Sequence, residues 1–201
     1  MSLDRCASSR ALHIILVTLG TTLAACKGTS TSPPIDASLP VLSVPVVDLA
    51  RLNDFLPFGL SSSPGRLNPT YELRTTSDTV SVRAAGPGTV INILANPEGD
   101  SEIHMRPSGA ADYLIIYDHV VALQIVLGQS VSAGQVLGRV GLWVPGVGRT
   151  ELQVNRGSGQ SAVALCPRDF GTAAFNAAHD AAFGRFPARG ASVCLTNLVQ
   201  P

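Results

Sequence analysis

His119 is the residue whose setting most clearly suggests chemistry. It follows an apolar run, Tyr113 to Tyr117, and stands in the motif Tyr-Asp-His-Val at residues 117–120. A histidine can supply a nitrogen ligand to a metal ion or exchange a proton near neutral pH. The sequence contains no His-Glu-x-x-His, no Gly-x-Ser-x-Gly and no phosphate-binding loop. We therefore look for an active or binding centre around His119.

The stretch from Asp112 to Gly141 must position this histidine, and it consists of short apolar segments separated by glycine. Residues 128–131 read Gly-Gln-Ser-Val, and residues 134–138 read Gly-Gln-Val-Leu-Gly. Glycine permits sharp turns, and runs of Val, Ile and Leu between turns are typical of strands. The pattern predicts a compact antiparallel β-unit.

This pattern resembles the LytM/lysostaphin type of zinc metallopeptidase, a peptidoglycan endopeptidase with the duplicated hybrid motif. The family writes Tyr-x-His-Leu nine residues before a glycine of the same kind, and His119 precedes Gly128 by nine residues. Lipoyl and biotinyl carriers share the glycine pattern, but a carrier needs a lysine on a hairpin, and the only lysine, Lys27, lies far away. The resemblance covers residues 56–154. It implies a mainly β fold, an antiparallel sandwich or barrel-like domain, here followed by a short C-terminal helical appendage.

The resemblance also implies a zinc site, whose positions have changed in this chain. Asn68 and Glu72 stand where the family has the His and Asp ligands, while Arg149 and Glu151 replace the two residues of its His-x-His motif. His119 is the retained catalytic position, and Arg149 replaces a catalytic histidine. Zinc prefers nitrogen and sulfur ligands, and a fixed guanidinium charge disfavours a dication. The resemblance therefore implies that the zinc cofactor is lost and that Arg149 pairs with Glu72 or Glu151.

Three functions follow as alternatives. The first is a catalytically degenerate protein that binds cell-wall peptide or regulates a cell-wall hydrolase. The second is an active peptidoglycan metallo-endopeptidase with an unusual metal set of His119, Glu72 and Glu151, and the third is a structural surface lipoprotein. Trp143, the only tryptophan, either stacks on a ligand or caps the edge of the core. The balanced formal charge gives no indication of a nucleic-acid partner.

The N-terminus is typical of a bacterial lipoprotein. A basic start and an apolar run from Leu12 to Leu23 precede the lipobox Leu-Ala-Ala-Cys, which ends at Cys26. We expect a signal peptide at residues 1–25 and a lipidated Cys26, which would anchor the protein to a membrane. An ordinary signal peptide or a short anchor helix are the alternatives. Lys27 after the cysteine suggests, by resemblance to enterobacterial sorting, the outer membrane of the cell envelope, facing the periplasm or the cell surface.

The rest of the chain divides into a linker, a β domain and an extension. A Ser/Thr/Pro-rich linker is expected at residues 26–45, a β domain at residues 46–156 and a C-terminal extension at residues 157–201. Within the β domain, residues 80–94 are expected to form a hairpin. Residues 96–111 are expected to form an exposed loop with Asp100 and His104 at its surface.

The extension contains two cysteines and a helical segment. Cys166 and Cys194 are expected to form a disulfide outside the cytosol, and a nucleophilic Cys166 paired with His179 is the alternative. The segment from Thr172 to Phe183 is alanine-rich, starts with an N-cap residue and is followed by glycine, so it predicts a helix. On that helix His179 is expected to be partly buried and hydrogen-bonded.

Overall fold

The structure is a computed structural model that describes residues 38–157 and 159–200. The expected signal peptide, Cys26 and most of the expected linker lie outside the described residues. Within the described part of the chain, none of the helices has both the length and the apolar character needed to span a bilayer.

Thirteen strands dominate the described residues, so the expected mainly β, antiparallel fold is confirmed. Eleven strands form one sheet, and β2 and β3 form a separate hairpin. The strands are β1 Leu52–Leu56, β2 Ser61–Ser63, β3 Arg66–Leu67, β4 Tyr71–Thr75, β5 Ser81–Arg83, β6 Gly88–Ala95, β7 Ser101–Pro107, β8 Tyr113–Val121, β9 Ser130–Val131, β10 Val136–Val144, β11 Val147–Arg156, β12 Val163–Leu165 and β13 Leu198–Val199.

The order of the main path is β1-β4-β11-β10-β8-β7-β6-β9, with a further pairing between β11 and β8. Strand β8 pairs with β11 along residues 113–118 and with β10 at residues 120–121, always antiparallel. The end of β8 therefore lies beside both β10 and β11. The strands alternate between buried apolar and more exposed polar residues, as the burial of β4 shows.

The expected hairpin at residues 80–94 is wrong. Strand β5 pairs with β10, where Val82 lies opposite Gly138, and β6 pairs with β7 and β9. The intervening residues include Ala84 and Ala85, which are fully buried, and Gly86, where an added Cβ would lie 2.3 Å from the carbonyl oxygen of Val41. This segment is a packed corner between distant strands and not an exposed turn.

The expected exposed loop at residues 96–111 is also wrong for most of its length. Residues 101–107 form β7, which is inserted between β6 and β8, and Ile103 and Met105 are fully buried. Charged residues alternate with these apolar ones, so the polar composition hid a strand that has one face in the core.

The C-terminal segment packs on the sheet. Among its described residues the α-helix is α1 Ala173–Phe183, which begins after Thr172, whose hydroxyl accepts a hydrogen bond from the Phe175 amide at 3.2 Å. The helix therefore has the predicted bounds. Strand β12 pairs with β11. The segment also contains the short 3-10 helices Gly159–Ser161, Pro167–Phe170 and Pro187–Arg189, and a further 3-10 helix, Leu49–Arg51, leads into β1.

The core reaches further toward the N-terminus than the expected linker boundary at residue 45. Leu42 is fully buried, its amide donates to the carbonyl of Phe170, and its own carbonyl accepts from the Thr172 amide. The apolar residues at the end of the expected linker are thus tied to the start of α1 by backbone hydrogen bonds, which a solvated tether would lack.

Candidate functional site

Three adjacent strands bring a row of carboxylates together on one face of the sheet. Glu151 on β11 lies directly opposite Glu72 on β4 and Asp118 on β8. Residues that lie directly opposite one another on neighbouring strands project to the same face, about 5 Å apart at Cβ. This register places two of the sequence-predicted positions, Glu72 and Glu151, beside each other.

His119 follows Asp118 at the end of β8, and its backbone is unusual. Its φ angle is 55°, in the left-handed region that few non-glycine residues adopt. Its side chain is largely buried, and Nδ1 lies 2.8 Å from Oδ2 of Asp100. Gly141 makes room for this pair, because a Cβ there would lie 2.8 Å from the same Asp100 oxygen. Glycine is therefore required beneath the His119–Asp100 hydrogen bond.

Arg149 lies against the imidazole of His119. Its Nη2 is 2.5 Å from Nε2 and 3.0 Å from Nδ1 of the histidine. The guanidinium carbons of Arg149 and Arg74 both lie 4.5 Å from the centre of the Trp143 ring. Trp143 is 43% exposed, so it neither fills the core nor presents a free ring. It contacts both arginines through cation–π interactions and thereby orders them.

Three carboxylates control the protonation of His119. Burial and the positive charge of Arg149 act to lower its pKa. Hydrogen bonds to Glu151 and Asp100, together with the negative charge of Asp118, outweigh them and raise the pKa from 6.5 to about 9. The imidazole Nε2 lies 3.6 Å from both Asp118 Oδ2 and Glu151 Oε1. An imidazolium is therefore the favoured form near neutral pH.

The carboxylates respond in opposite directions. Burial raises the pKa of Asp118, although the charge of His119 and a hydrogen bond from Asn96 oppose the rise. Burial also acts to raise the pKa of Glu151. The hydrogen bond and charge of His119, the hydrogen bond from Thr70 and the charge of Arg149 outweigh burial, so the pKa of Glu151 is lowered. Glu151 is therefore the more firmly ionised of the two.

Asn68 is engaged in the loop that leads into β4. Its side-chain Nδ2 donates to the carbonyls of Pro57 and Thr70, and its Oδ1 accepts from the Thr70 amide at 3.2 Å. The Thr70 hydroxyl lies 2.8 Å from Asn68 Oδ1 and 3.0 Å from Glu151 Oε2. The side-chain amide of Asn68 is thus occupied by hydrogen bonds to the local backbone and is not free to bind a ligand.

Glu72 takes its positive partner from its own strand. Arg74 lies 2.8 Å from Glu72 Oε1, and it also lies 3.5 Å from Asp54, which in turn pairs with Arg189 at 2.5 Å. Within the described part of the chain, Arg149 forms no ion pair within 4 Å with either glutamate. The expected pairing of Arg149 with Glu72 or Glu151 is therefore wrong, because Arg74 is nearer to Glu72 and His119 lies between Arg149 and Glu151.

These contacts do not fit a zinc ion at the positions that the family resemblance implies. The set offers one imidazole, at His119, and both of its nitrogens are engaged. An imidazolium has no lone pair to offer a metal ion. In the neutral ring, Nδ1 keeps its proton and donates it to Asp100, and the lone pair of Nε2 then faces the Arg149 guanidinium. Asn68 and Glu72 are held by other partners. Zinc needs several free nitrogen, sulfur or carboxylate donors around one point.

The structure does bring together a different acidic group, formed by Asp100, Asp118 and His119, whose ligand atoms lie within 4.8 Å of one another. The side-chain Nδ2 of Asn96 bridges two of them, at 2.6 Å from Asp100 Oδ1 and 2.7 Å from Asp118 Oδ1. A donor amide already occupies the point where these two oxygens converge, and Arg149 adds positive charge. The group is a closed hydrogen-bond network.

Sequence reasoning missed Asp100 and Asn96. Asp100 was expected at the surface but is only 7% exposed, and His104, also expected there, is a part-buried residue of β7 that contacts Glu102. The only signal for Asp100 is its place one residue before a strand that alternates polar and apolar residues. A buried partner for His119 does not follow from that pattern alone.

A groove of about 740 Å³ adjoins this site on the side of Asp118 and Glu151, and neither His119 nor Arg149 is among its lining residues. Glu72, Glu151 and Asp118 belong to its floor, and the β2–β3 hairpin contributes one wall. Arg66 of that hairpin and Arg189 of the C-terminal segment also line it. The arrangement offers hydrogen-bond acceptors in the floor and guanidinium groups at the sides, which suits an extended polar ligand.

The remaining expected site residues lie in the C-terminal segment. Cys166 and Cys194 form a disulfide, as predicted, so the alternative of a nucleophilic Cys166 is wrong. His179 is 1% exposed, and its Nδ1 donates to the carbonyl of Phe175 at 2.8 Å. It is a buried, hydrogen-bonded histidine, and its neighbours are aromatic rings such as Phe55.

No family model and no curated protein matches the chain. Solved structures similar to it include the solution structure of lysostaphin, at 20% identity and a TM-score of 0.48, covering 59% of this chain and 50% of that one. They also include Csd3 from Helicobacter pylori, at 20% identity and a TM-score of 0.48, covering 66% of this chain and 33% of that one. The catalytic domain of the prophage-encoded M23 protein EnpA from Enterococcus faecalis matches at 20% identity and a TM-score of 0.43, covering 53% of this chain and 84% of that one.

The chain spans about half the length of the lysostaphin structure and a third of that of Csd3. Two of these names, lysostaphin and an M23 protein, are names of the peptidase type that the sequence resembles. At these identities the likeness concerns the fold, and the chemistry has to be argued from the side chains of this chain.

Proposed function

We propose that the protein is a catalytically degenerate relative of the LytM/lysostaphin peptidases that binds a peptide of the bacterial cell wall without cleaving it. The observation that carries this proposal is the contact of Arg149 with both nitrogens of His119. The fixed charge of Arg149 beside Nε2 opposes a dication there, and the imidazolium form of His119 has no lone pair for a metal ion or for a proton from water. The groove that begins at its neighbours Asp118 and Glu151 has the size and the polar lining of a ligand-binding site.

The charges of the groove indicate which part of a peptide it favours. Asp118 and Glu151 each lie 3.6 Å from Nε2 of His119 and line the groove. There they can accept hydrogen bonds from an amine or amide of a ligand. Arg66 at the rim has no acidic partner within the described residues. A peptide that carries both an amine and a carboxylate, as cell-wall stem peptides do, complements this arrangement.

Lipidation at Cys26 remains part of the proposal. An anchored domain on a Ser/Thr/Pro-rich tether would lie within reach of the cell wall. Regulation of a cell-wall hydrolase is compatible with such a binding module, since a bound peptide can be presented to a partner enzyme. In this proposal the domain itself contributes binding only.

The test is sedimentation of the purified domain with peptidoglycan sacculi, together with an assay for released peptides. We expect co-sedimentation, no released peptides with added zinc, and weaker binding for Glu151→Gln and Arg66→Gln. Arg83→Gln, an exposed arginine outside the groove, is the matched control and should bind normally. Peptide release that is abolished by a chelator would contradict the proposal, as would wild-type protein that stays in the supernatant.

A further inference from the structure

Thr70 lies between two residues that shape the groove, Asn68 and Glu151. It is only 4% exposed, although it belongs to the residues that line the groove. Its hydroxyl oxygen lies 2.8 Å from Asn68 Oδ1 and 3.0 Å from Glu151 Oε2. A threonine hydroxyl carries one proton, so it can donate fully to only one of these two acceptors at a time.

The contacts of the two acceptors favour donation to Glu151. Asn68 Oδ1 already accepts a hydrogen bond from the Thr70 amide at 3.2 Å, so it has a donor without the hydroxyl. Hydrogen bonds to an ionised acceptor such as the Glu151 carboxylate are roughly twice as strong as neutral ones. The other carboxylate oxygen, Oε1, lies 3.6 Å from His119 Nε2, which is a longer contact. Among the described residues, Thr70 is therefore the nearest donor to the Glu151 carboxylate.

On its other side Thr70 is tied to the loop that contains the β2–β3 hairpin. The Asn68 carbonyl accepts from the Gly59 amide at 2.7 Å, and the Asn68 amide donates to the Leu60 carbonyl at 2.8 Å. These two bonds close the base of the segment that contains β2 and β3. The side-chain Nδ2 of Asn68 also donates to the carbonyls of Pro57, before the hairpin, and of Thr70, after it. The base of the hairpin is thus fixed relative to Thr70.

These contacts connect one wall of the groove with its floor. The hairpin carries Arg66, and both Arg66 and Glu151 line the groove. Asn68 and Thr70 join the hairpin base to the Glu151 carboxylate by hydrogen bonds. Groups that are held in place before a ligand arrives lose less conformational freedom on binding, so this connection favours binding by charges of both signs.

We propose that Thr70 is a positioning residue of the groove. Its hydroxyl holds the Glu151 carboxylate in the orientation in which that carboxylate accepts a hydrogen bond from a ligand amine. Through Asn68 it also fixes the carboxylate relative to the hairpin that carries Arg66. The inference rests on the proposed function for the identity of the ligand, whereas the hydrogen bond between Thr70 and Glu151 is present without one.

The binding test is sedimentation with peptidoglycan sacculi of two variants: Thr70→Val keeps the side-chain shape without the hydroxyl, and Thr70→Ser keeps the hydroxyl. Thr70→Val should weaken binding about tenfold, which corresponds to the loss of one charge-assisted hydrogen bond, and Thr70→Ser should restore it. In a Glu151→Ala background, Thr70→Val should cause no further loss, because Thr70 acts through Glu151. The matched control is Thr79→Val at an exposed threonine outside the groove, which should bind like the wild type.

A double-mutant cycle on stability tests the hydrogen bond in the absence of any ligand. Urea unfolding is measured for the wild type, Thr70→Val, Glu151→Ala and the double variant. We expect the two substitutions to be coupled by about tenfold in the unfolding equilibrium constant, because each removes the same charge-assisted hydrogen bond. The pair Thr79→Val and Glu151→Ala should show no coupling.

Wild-type binding by Thr70→Val would overturn the inference, as would an equal loss of binding in Thr70→Ser. Additive effects of Thr70→Val and Glu151→Ala in the stability cycle would overturn it as well. A wild-type domain that does not sediment with sacculi contradicts the proposed function instead, and the stability cycle then decides the role of Thr70 by itself.

Discussion

Arg149 and His119 face each other from the neighbouring strands β11 and β8, with Nη2 of the arginine 2.5 Å from Nε2 of the histidine. Trp143 stacks beside the arginine, and Asp100 holds the other side of the histidine. The residues that could have formed a metal centre are thereby packed against one another, with Arg149 beside His119 and Asp100 hydrogen-bonded to its other side. The consequences for stability, and for metal binding, can be measured.

The first prediction concerns alkaline pH. The pKa of His119 is raised from 6.5 to about 9 in the folded protein, so the folded state binds the proton more tightly than the unfolded state. This contribution to stability is complete below the unfolded pKa and is lost as pH rises through 9. Urea unfolding from about pH 6 to about pH 10 should show this loss in the wild type.

The matched variants for this prediction are His119→Gln and His179→Phe. His119→Gln should lack the alkaline loss of stability. His179→Phe should retain it, because residue 179 lies outside the group of carboxylates that surrounds His119. An alkaline loss of equal size in His119→Gln would show that another group is responsible.

The second prediction concerns acid pH. Burial lowers the pKa of His179, and its Nε2 has no hydrogen-bond partner among the described residues. The unfolded state therefore binds a proton more readily than the folded state, and stability should fall as pH drops below 6.5, the ordinary value. We expect His179→Phe to show a smaller decline in the free energy of unfolding between about pH 7 and about pH 5 than the wild type. A decline of the same slope in both proteins would contradict this assignment.

The third prediction concerns Gly141. A Cβ at this position would lie 2.8 Å from Asp100 Oδ2 and 3.1 Å from the carbonyl oxygen of His119. Gly141→Ala should therefore lower the free energy of unfolding by about 1–3 kcal/mol, the usual cost of overpacking. It should also reduce the alkaline loss of stability, since the His119–Asp100 bond is displaced.

Gly184→Ala is the control for this substitution. An added Cβ at Gly184 would meet its nearest atom at 3.5 Å, an ordinary contact. Chemical denaturation of both variants should show a destabilised Gly141→Ala and a Gly184→Ala close to the wild type. Equal stabilities for the two would mean that the site relaxes without disturbing His119.

The sequence predicted those features that depend on local rules. The helix at Ala173–Phe183 follows from the capping threonine, the alanine-rich interior and the glycine after its end. The strand that carries His119 follows from its apolar run. The family resemblance predicted that Glu72, His119 and Glu151 lie in one region. In the structure Glu151 lies directly opposite Glu72 on the neighbouring strand.

Features set by long-range packing were not predictable in the same way. Pairing of β5 with β10 in place of β6 depends on contacts between residues that are more than fifty positions apart. The partners of Arg149 and Glu72 depend on which charged side chain is nearest in space, and neither Arg74 nor Asp100 has a distinctive motif. Sequence type identified the charged residues, while the sheet register determined their pairs.

Zinc titration of the metal-free domain by isothermal calorimetry, with wild type and His119→Gln side by side, tests the central claim most directly. We expect no stoichiometric zinc binding in either protein, because His119 is an imidazolium that faces the Arg149 guanidinium, and Asn68, Glu72 and Glu151 are held by other contacts. Binding of one zinc ion per wild-type chain that is lost in His119→Gln would show a working metal centre and contradict it.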